Sequence, residues 1–163
     1  MNITCALVLK IFEFEHEELY EILNINILPT LGRSLQEWLN KGKIKLDKDS
    51  VNKLKALTFA TKSKCLSQDL MDFFTKKLFE ISPKWKGQVQ TEALNVLNSI
   101  SNLTNYQVDP KSYKLISSIQ GRDGRNIAAQ LLWKSLNNPN KVRLNDNLLL
   151  NEEYTKLFIG KAS

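Results

Sequence analysis

The chain has 163 residues, 42% hydrophobic and 25% charged: long enough for one domain to bury a core, and too apolar for a disordered tail. A formal net charge of +6 and a pI near 9.3 moderately favour an anionic partner such as nucleic acid or a membrane surface. Cys5 and Cys65 stand far apart, without paired or metal-ligand spacing. That pattern points to buried thiols in a reducing intracellular compartment, the cytoplasm or an organelle matrix such as the mitochondrial one, and to no metal or other cofactor.

In chain order, ITCALVL is apolar for seven residues before Lys10 and runs at once into the acidic EFEHEE. It has no basic leader or cleavage site, so neither a secretory signal nor a membrane span is expected, and ITCALVLKIFEF is the only stretch that reads as a strand. In EELYEILNINILPTLGRSLQEWLN, Leu19, Ile22, Leu23 and Ile27 share a helical face until Pro29 interrupts it. Leu31, Leu35, Trp38 and Leu39 form a second short helix. KGKIKLDKDS is the clearest break, with Asp49 or Ser50 expected to cap the helix that follows. LNDNLLLNEEYTKLFIG returns to helical spacing and stops at Gly160. The fold class is all-α.

Internal repetition organises the rest. A shift of 40 brings Leu54 onto Leu94, Leu57 onto Leu97, Ala60 onto Ile100, Phe73 onto Tyr113 and Phe79 onto Ile119. Asp69 falls on Asp109, each placed to cap the second helix of its unit. A further shift of 36 carries Ala93 to Ala129, Val96 to Leu132, Leu97 to Trp133 and Ile100 to Leu136. These matches predict three helix–turn–helix units within residues 51–157, at 51–81, 90–119 and 125–157, in a single domain spanning 1–163. Residues 1–45 form an N-terminal cap region, in which 17–41 reads as a degenerate fourth unit or a cap. Stacked hairpins share one core and leave a concave surface, so the expected architecture is a short α-solenoid of right-handed superhelix type.

RNIAAQLLWKSLNN, with a small-residue pair ahead of Leu132-Trp133, resembles the first helix of octotricopeptide and FAST-kinase-like repeats. SPKWKGQVQTEALNVLNSISNL is similar, with Ser82-Pro83 opening the helix and Ala93, Leu97 and Ile100 in matching places, and LKALTFATKSKCLSQDLMDFF is a third copy. The resemblance covers about two thirds of the chain. It implies paired helices of roughly 38 residues per unit. It also implies single-stranded RNA binding in organelles or intracellular bacteria.

The residues themselves carry a separate argument for RNA. Lys53, Lys55, Lys62 and Lys64 in the first unit, Lys84 and Lys86 before the second, and Arg122, Arg125 and Lys134 in the third would form a basic edge tracking phosphates. Trp85 lies between Lys84 and Lys86, where an exposed indole would stack on a base and a buried one would pack between hairpins. In QGRDGRN, Gly121 and Gly124 permit positive φ and Asp123 would cap a helix starting near Asn126. The stretch reads first as a tight corner between repeats, with an anion contact at Arg122 and Arg125 second. It lacks the Gly-Lys-Ser/Thr of a phosphate-binding loop.

No residues assemble into catalytic machinery. His16 lies among Glu13, Glu15, Glu17 and Glu18 without the second histidine of a zinc-protease helix, nothing in spacing joins it to Cys65, and Asp47 and Asp49 read as capping residues in a loop. The expected function is therefore non-catalytic: an RNA-binding or ribonucleoprotein-associated repeat protein, engaging single-stranded or ribosomal RNA and protein partners but no membrane. The alternative is a protein-interaction scaffold or adaptor with no nucleic-acid role.

Overall fold

The computed structural model describes residues 27–64, 66–104, 106–137 and 144–159. The expected strand at ITCALVLKIFEF, the face built on Leu19, Ile22 and Leu23, both cysteines, His16 and Gly160 lie outside them. Among the described residues every regular element is helical: α1 (Leu28–Asn40), α2 (Lys48–Lys62), α3 (Gln68–Ile81), α4 (Gly87–Ser101), α5 (Tyr113–Ser117), α6 (Arg122–Leu136) and α7 (Leu144–Ile159). Two 3-10 turns, Ser82–Lys84 and Pro110–Ser112, lead into α4 and α5. The chain divides after Leu103 into two compact units.

In the first unit each helix buries an apolar stripe, and α2 and α3 also carry side-chain caps. Pro29 lies in the first turn of α1, where no backbone N–H is needed, and Leu28, Leu31, Leu35 and Leu39 bury one face at helical spacing. Asp47, rather than Asp49 or Ser50, caps α2, its carboxylate accepting from Ser50 N at 2.9 Å. The helix thus starts earlier than expected, and Ser50 supplies the donor instead of the cap. Ser67, not Asp69, caps α3, accepting from Leu70 N at 3.3 Å. Ser82-Pro83 opens the 3-10 turn instead of α4, whose N-cap is Lys86. The most extensive packing joins α2 to α4; α1 packs on α2 and α3, and α3 packs on α4. Leu54, Leu57, Phe74, Leu78, Leu97 and Ile100 are fully enclosed in this core.

In the second unit α7 packs on both α6 and α5, over a core that includes Tyr113, Ile116, Leu131 and Leu157. Gly121, at φ +89°, makes the corner before α6, as the sequence predicts. Asp123 falls in the first turn instead of capping a later helix, and Asp109 caps the 3-10 turn ahead of α5, accepting from Lys111 N at 3.1 Å. Gly124 has a different role from the one expected. It is buried within α6, and a Cβ there would come within 2.8 Å of the Ile119 side chain, so close approach rather than positive φ requires glycine.

Glu153 of α7 is 1% exposed and ties the second unit together. It accepts from Ser117 Oγ of α5 and, at 2.8 Å, from Lys156 Nζ. Burial pushes its pKa up, but the hydrogen bonds from Lys156 and Ser117 and the charges of Lys156 and Lys114 outweigh burial and hold it below the ordinary glutamate value. A depressed folded-state pKa stabilises above the unfolded value, and that contribution disappears as pH falls through the folded value. Glu153→Gln is therefore expected to be less stable than the parent by about 2 kcal/mol at pH 7. The gap in urea melts should shrink once pH drops below about 4.3.

The helices α2, α4 and α6 share a register. Each has 15 residues, and their starts lie 39 and 35 residues apart. Counted from the N-caps Asp47, Lys86 and Gly121, four positions are buried in all three helices. They are Ser50, Val89 and Gly124; Leu54, Ala93 and Ala128; Leu57, Val96 and Leu131; and Thr61, Ile100 and Ser135.

Candidate nucleic-acid interface

Two hollows lie along the seam between α2 and α4. One is lined by Lys48, Val51, Asn52 and Lys55 from the start of α2 and by Lys86, Gly87, Gln88 and Val89 at the start of α4, with Leu46 and Asp47 at its edge. The other is lined by Thr58, Lys62 and Lys64 from the end of α2 and by Asn95, Asn98, Ser99 and Asn102 from the end of α4. Starts meet starts and ends meet ends, so the two helices run parallel. On α2 the lining residues follow one helical stripe, and Gln88, Asn95, Ser99 and Asn102 follow one on α4. The hollows are therefore two parts of one furrow.

Its walls differ in chemistry. Lys48, Lys55 and Lys62 recur every seven residues on α2, about 10 Å apart along the axis. Lys86 and Lys64 close the two ends, and Lys48, Lys62, Lys64 and Lys86 are exposed. The α4 wall presents amides. One carboxylate lines the furrow, Asp47, and it is occupied by its cap; beside the α4 wall, Glu92 accepts from Asn95 Nδ2 at 3.3 Å. The backbone N–H of Ser50 is the main reason the Asp47 pKa lies below the ordinary aspartate value. Five lysines outnumber these acids, Asp47 in the lining and Glu92 beside it, leaving a net positive channel.

Within the first unit the expected basic edge is thus only partly assembled. Lys55, Lys62, Lys64 and Lys86 line the furrow. Lys53 faces elsewhere: its ammonium pairs with Asp49 at 3.0 Å and lies 4.9 Å from the centroid of the Trp38 ring. Lys84 is exposed on the 3-10 turn outside the furrow. Trp85 is only 7% exposed, so packing rather than base stacking describes it. In the second unit Arg122 is exposed at the start of α6, and Lys134 is half-buried, with burial holding its pKa below the usual lysine value. Arg125 donates to Leu157 O at 3.2 Å, which ties α6 to α7. Arg125→Ala should lower stability by about 1.5 kcal/mol in denaturant melts. It should leave nucleic-acid affinity nearly unchanged, unlike changes in the furrow.

Sequence reasoning missed Lys48, although its spacing of seven from Lys55 is visible, and it missed the amides of α4. Among the described residues no group of His, Cys, Asp and Glu is placed to hold a metal ion, and no helix is long and apolar enough to cross a membrane. Comparisons with protein-family models, curated proteins and solved structures gave no match.

Proposed function

We propose that this chain is a non-catalytic helical-repeat protein that docks single-stranded RNA along the α2/α4 furrow. The observation that carries the reading is the alignment of Lys48, Lys55 and Lys62 on one wall, with Lys86 and Lys64 at the ends. Ammonium groups at this spacing neutralise phosphates of a strand lying lengthwise. Amides on the opposite wall hydrogen-bond base or sugar edges. Neighbouring packed helices lie about 8–10 Å apart, so the furrow suits a strand rather than a duplex. No bond is made or broken.

The repeat reading has its own support. Helices α1 and α3 start 40 residues apart, α2 and α4 start 39 apart, and like packs on like in both pairs. The shared register of α2, α4 and α6 extends the pattern. On this reading the chain is a short α-solenoid of octotricopeptide or FAST-kinase-like kind, acting on RNA alone or in a ribonucleoprotein such as a ribosome, in a reducing compartment.

The direct test is fluorescence anisotropy with a mixed-sequence, 20-nucleotide single-stranded RNA (a length of roughly one to a few binding sites). Sub-micromolar binding at low salt is expected, with a duplex of the same sequence bound more weakly. Absence of binding even at low salt would remove the RNA reading and direct attention to a protein-partner scaffold.

A further inference from the structure

We infer that the hollow at the ends of α2 and α4 seats a phosphomonoester, the terminal phosphate of the strand held in the furrow; the inference rests on the RNA reading above. The residue that points to it is Lys64. Its φ is +59°, the only positive value at a residue other than glycine among the described residues. It follows Ser63, the C-cap of α2, and its N–H donates to Thr61 O at 3.0 Å. Glycine is the usual residue at such a left-handed position, because a Cβ crowds the backbone there, and asparagine is the next choice. Basic side chains offset the carbonyls of a helix end, but Lys62 already does so from the last turn of α2. The helix end therefore does not call for a lysine at position 64. Lys64 lines the hollow instead.

The hollow measures about 540 Å³, within the range of pockets that hold small ligands. Residues just beyond both helices bound it, Lys64 after α2 and Leu103 after α4. Thr58 and Ser99 turn their hydroxyls onto their own helices, donating to Leu54 O at 3.2 Å and to Asn95 O at 3.0 Å. What the walls offer an anion is thus the ammonium groups of Lys62 and Lys64 and the amides of α4. Among the described residues no carboxylate lines this hollow, and Glu92, beside it, is engaged by Asn95 Nδ2. The hollow at the helix starts has three lysines, but the Asp47 carboxylate lines it too. A phosphomonoester carries a charge of about −1.5 to −2 at neutral pH, against −1 for a phosphate within the strand. The extra charge gains most where two lysines line one hollow without a carboxylate.

Three internally labelled, 20-nucleotide single-stranded RNAs of one sequence test this, the first with a 5′-phosphate, the second with a 3′-phosphate and the third with hydroxyls at both ends. The parent should bind a phosphorylated RNA at least about fivefold more tightly than the hydroxyl RNA near 0.1 M salt. Whichever end gains is the end that lies at Lys64. Lys64→Gly should bring the three RNAs to within about twofold of one another while melting no lower than the parent, since glycine suits that backbone. Lys64→Arg, which keeps the charge, should keep the preference. Equal affinity of the parent for all three RNAs would overturn the seat while the furrow reading stands. A preference that survives Lys64→Gly reports net charge alone and overturns it as well. So does a lower melting temperature for Lys64→Gly, which would assign the lysine to the helix end. No RNA binding by the parent overturns both.

Discussion

Reversing charge at three positions of the furrow, Lys55→Glu, Lys62→Glu and Lys86→Glu together, should reduce affinity for single-stranded RNA by at least a hundredfold near 0.1 M salt. Each phosphate neutralised on a single strand contributes a slope of about −0.7 in the double-logarithmic salt plot, which near 0.1 M amounts to roughly fivefold in affinity. Three lost contacts therefore give about a hundredfold, and the introduced carboxylates add repulsion. All three side chains lie at least partly in solvent and none pairs with a carboxylate among the described residues, so the far-UV spectrum and melting midpoint should barely move. A control carries the same change of charge on exposed lysines of the first unit that line neither hollow, Lys41, Lys76 and Lys84. It should lose only a few-fold through the net charge, as measured by anisotropy under the same conditions. Equal losses in the two variants would mean that total charge, not the furrow, governs binding.

The second large effect concerns the platform under the furrow. Phe74 of α3 is fully enclosed and meets Phe73 edge-on, with ring centroids 5.4 Å apart at 74°. The helix α3 packs against both α1 and α4, so a void at Phe74 loosens the support of the amide wall. Phe74→Ala should cost about 3–5 kcal/mol by urea denaturation. Against a total of roughly 5–15 kcal/mol for a domain, this leaves the first unit close to unfolding. Phe74→Leu, which fills most of the volume, should recover more than half the loss. A cost below about 1 kcal/mol for the alanine variant would show that α3 collapses onto the void and that the seam does not depend on it.

Residue by residue, the sequence carried local information and lost information that only tertiary packing supplies. Helical periodicity identified α1 from Leu31, Leu35 and Leu39, because an amphipathic helix writes its buried face into every third or fourth residue. The basic residues that stayed in the furrow, Lys55, Lys62, Lys64 and Lys86, were visible as charges near helix ends. The partners that engage Lys53 and Arg125 were not visible: a Trp38 ring fifteen residues upstream and the Leu157 carbonyl 32 residues downstream. Trp85 and Trp133 show the same limit in opposite directions. Flanking lysines left Trp85 open to base stacking or to packing, and it turns inward from an extended residue after the 3-10 turn. Trp133 followed two leucines in an apolar run and read as a core residue of its repeat, yet it sits just off the buried stripe formed by Ala128, Leu131, Leu132 and Ser135. The asparagines of α4 drew no reading from the sequence. Their spacing became meaningful only once α2 lay alongside.

The reading stands or falls on whether the furrow lysines touch phosphates, and the salt dependence of binding measures that directly. Anisotropy titrations of the parent with single-stranded RNA, from about 50 to 300 mM monovalent salt, should give a straight double-logarithmic plot with a slope of about −3 to −4, the value for five lysines on a single strand. The Lys55, Lys62 and Lys86 triple variant should flatten it to between about −1 and −2. A parent slope near zero, or the same slope in parent and triple variant, would contradict a lysine-lined path for RNA along α2 and α4.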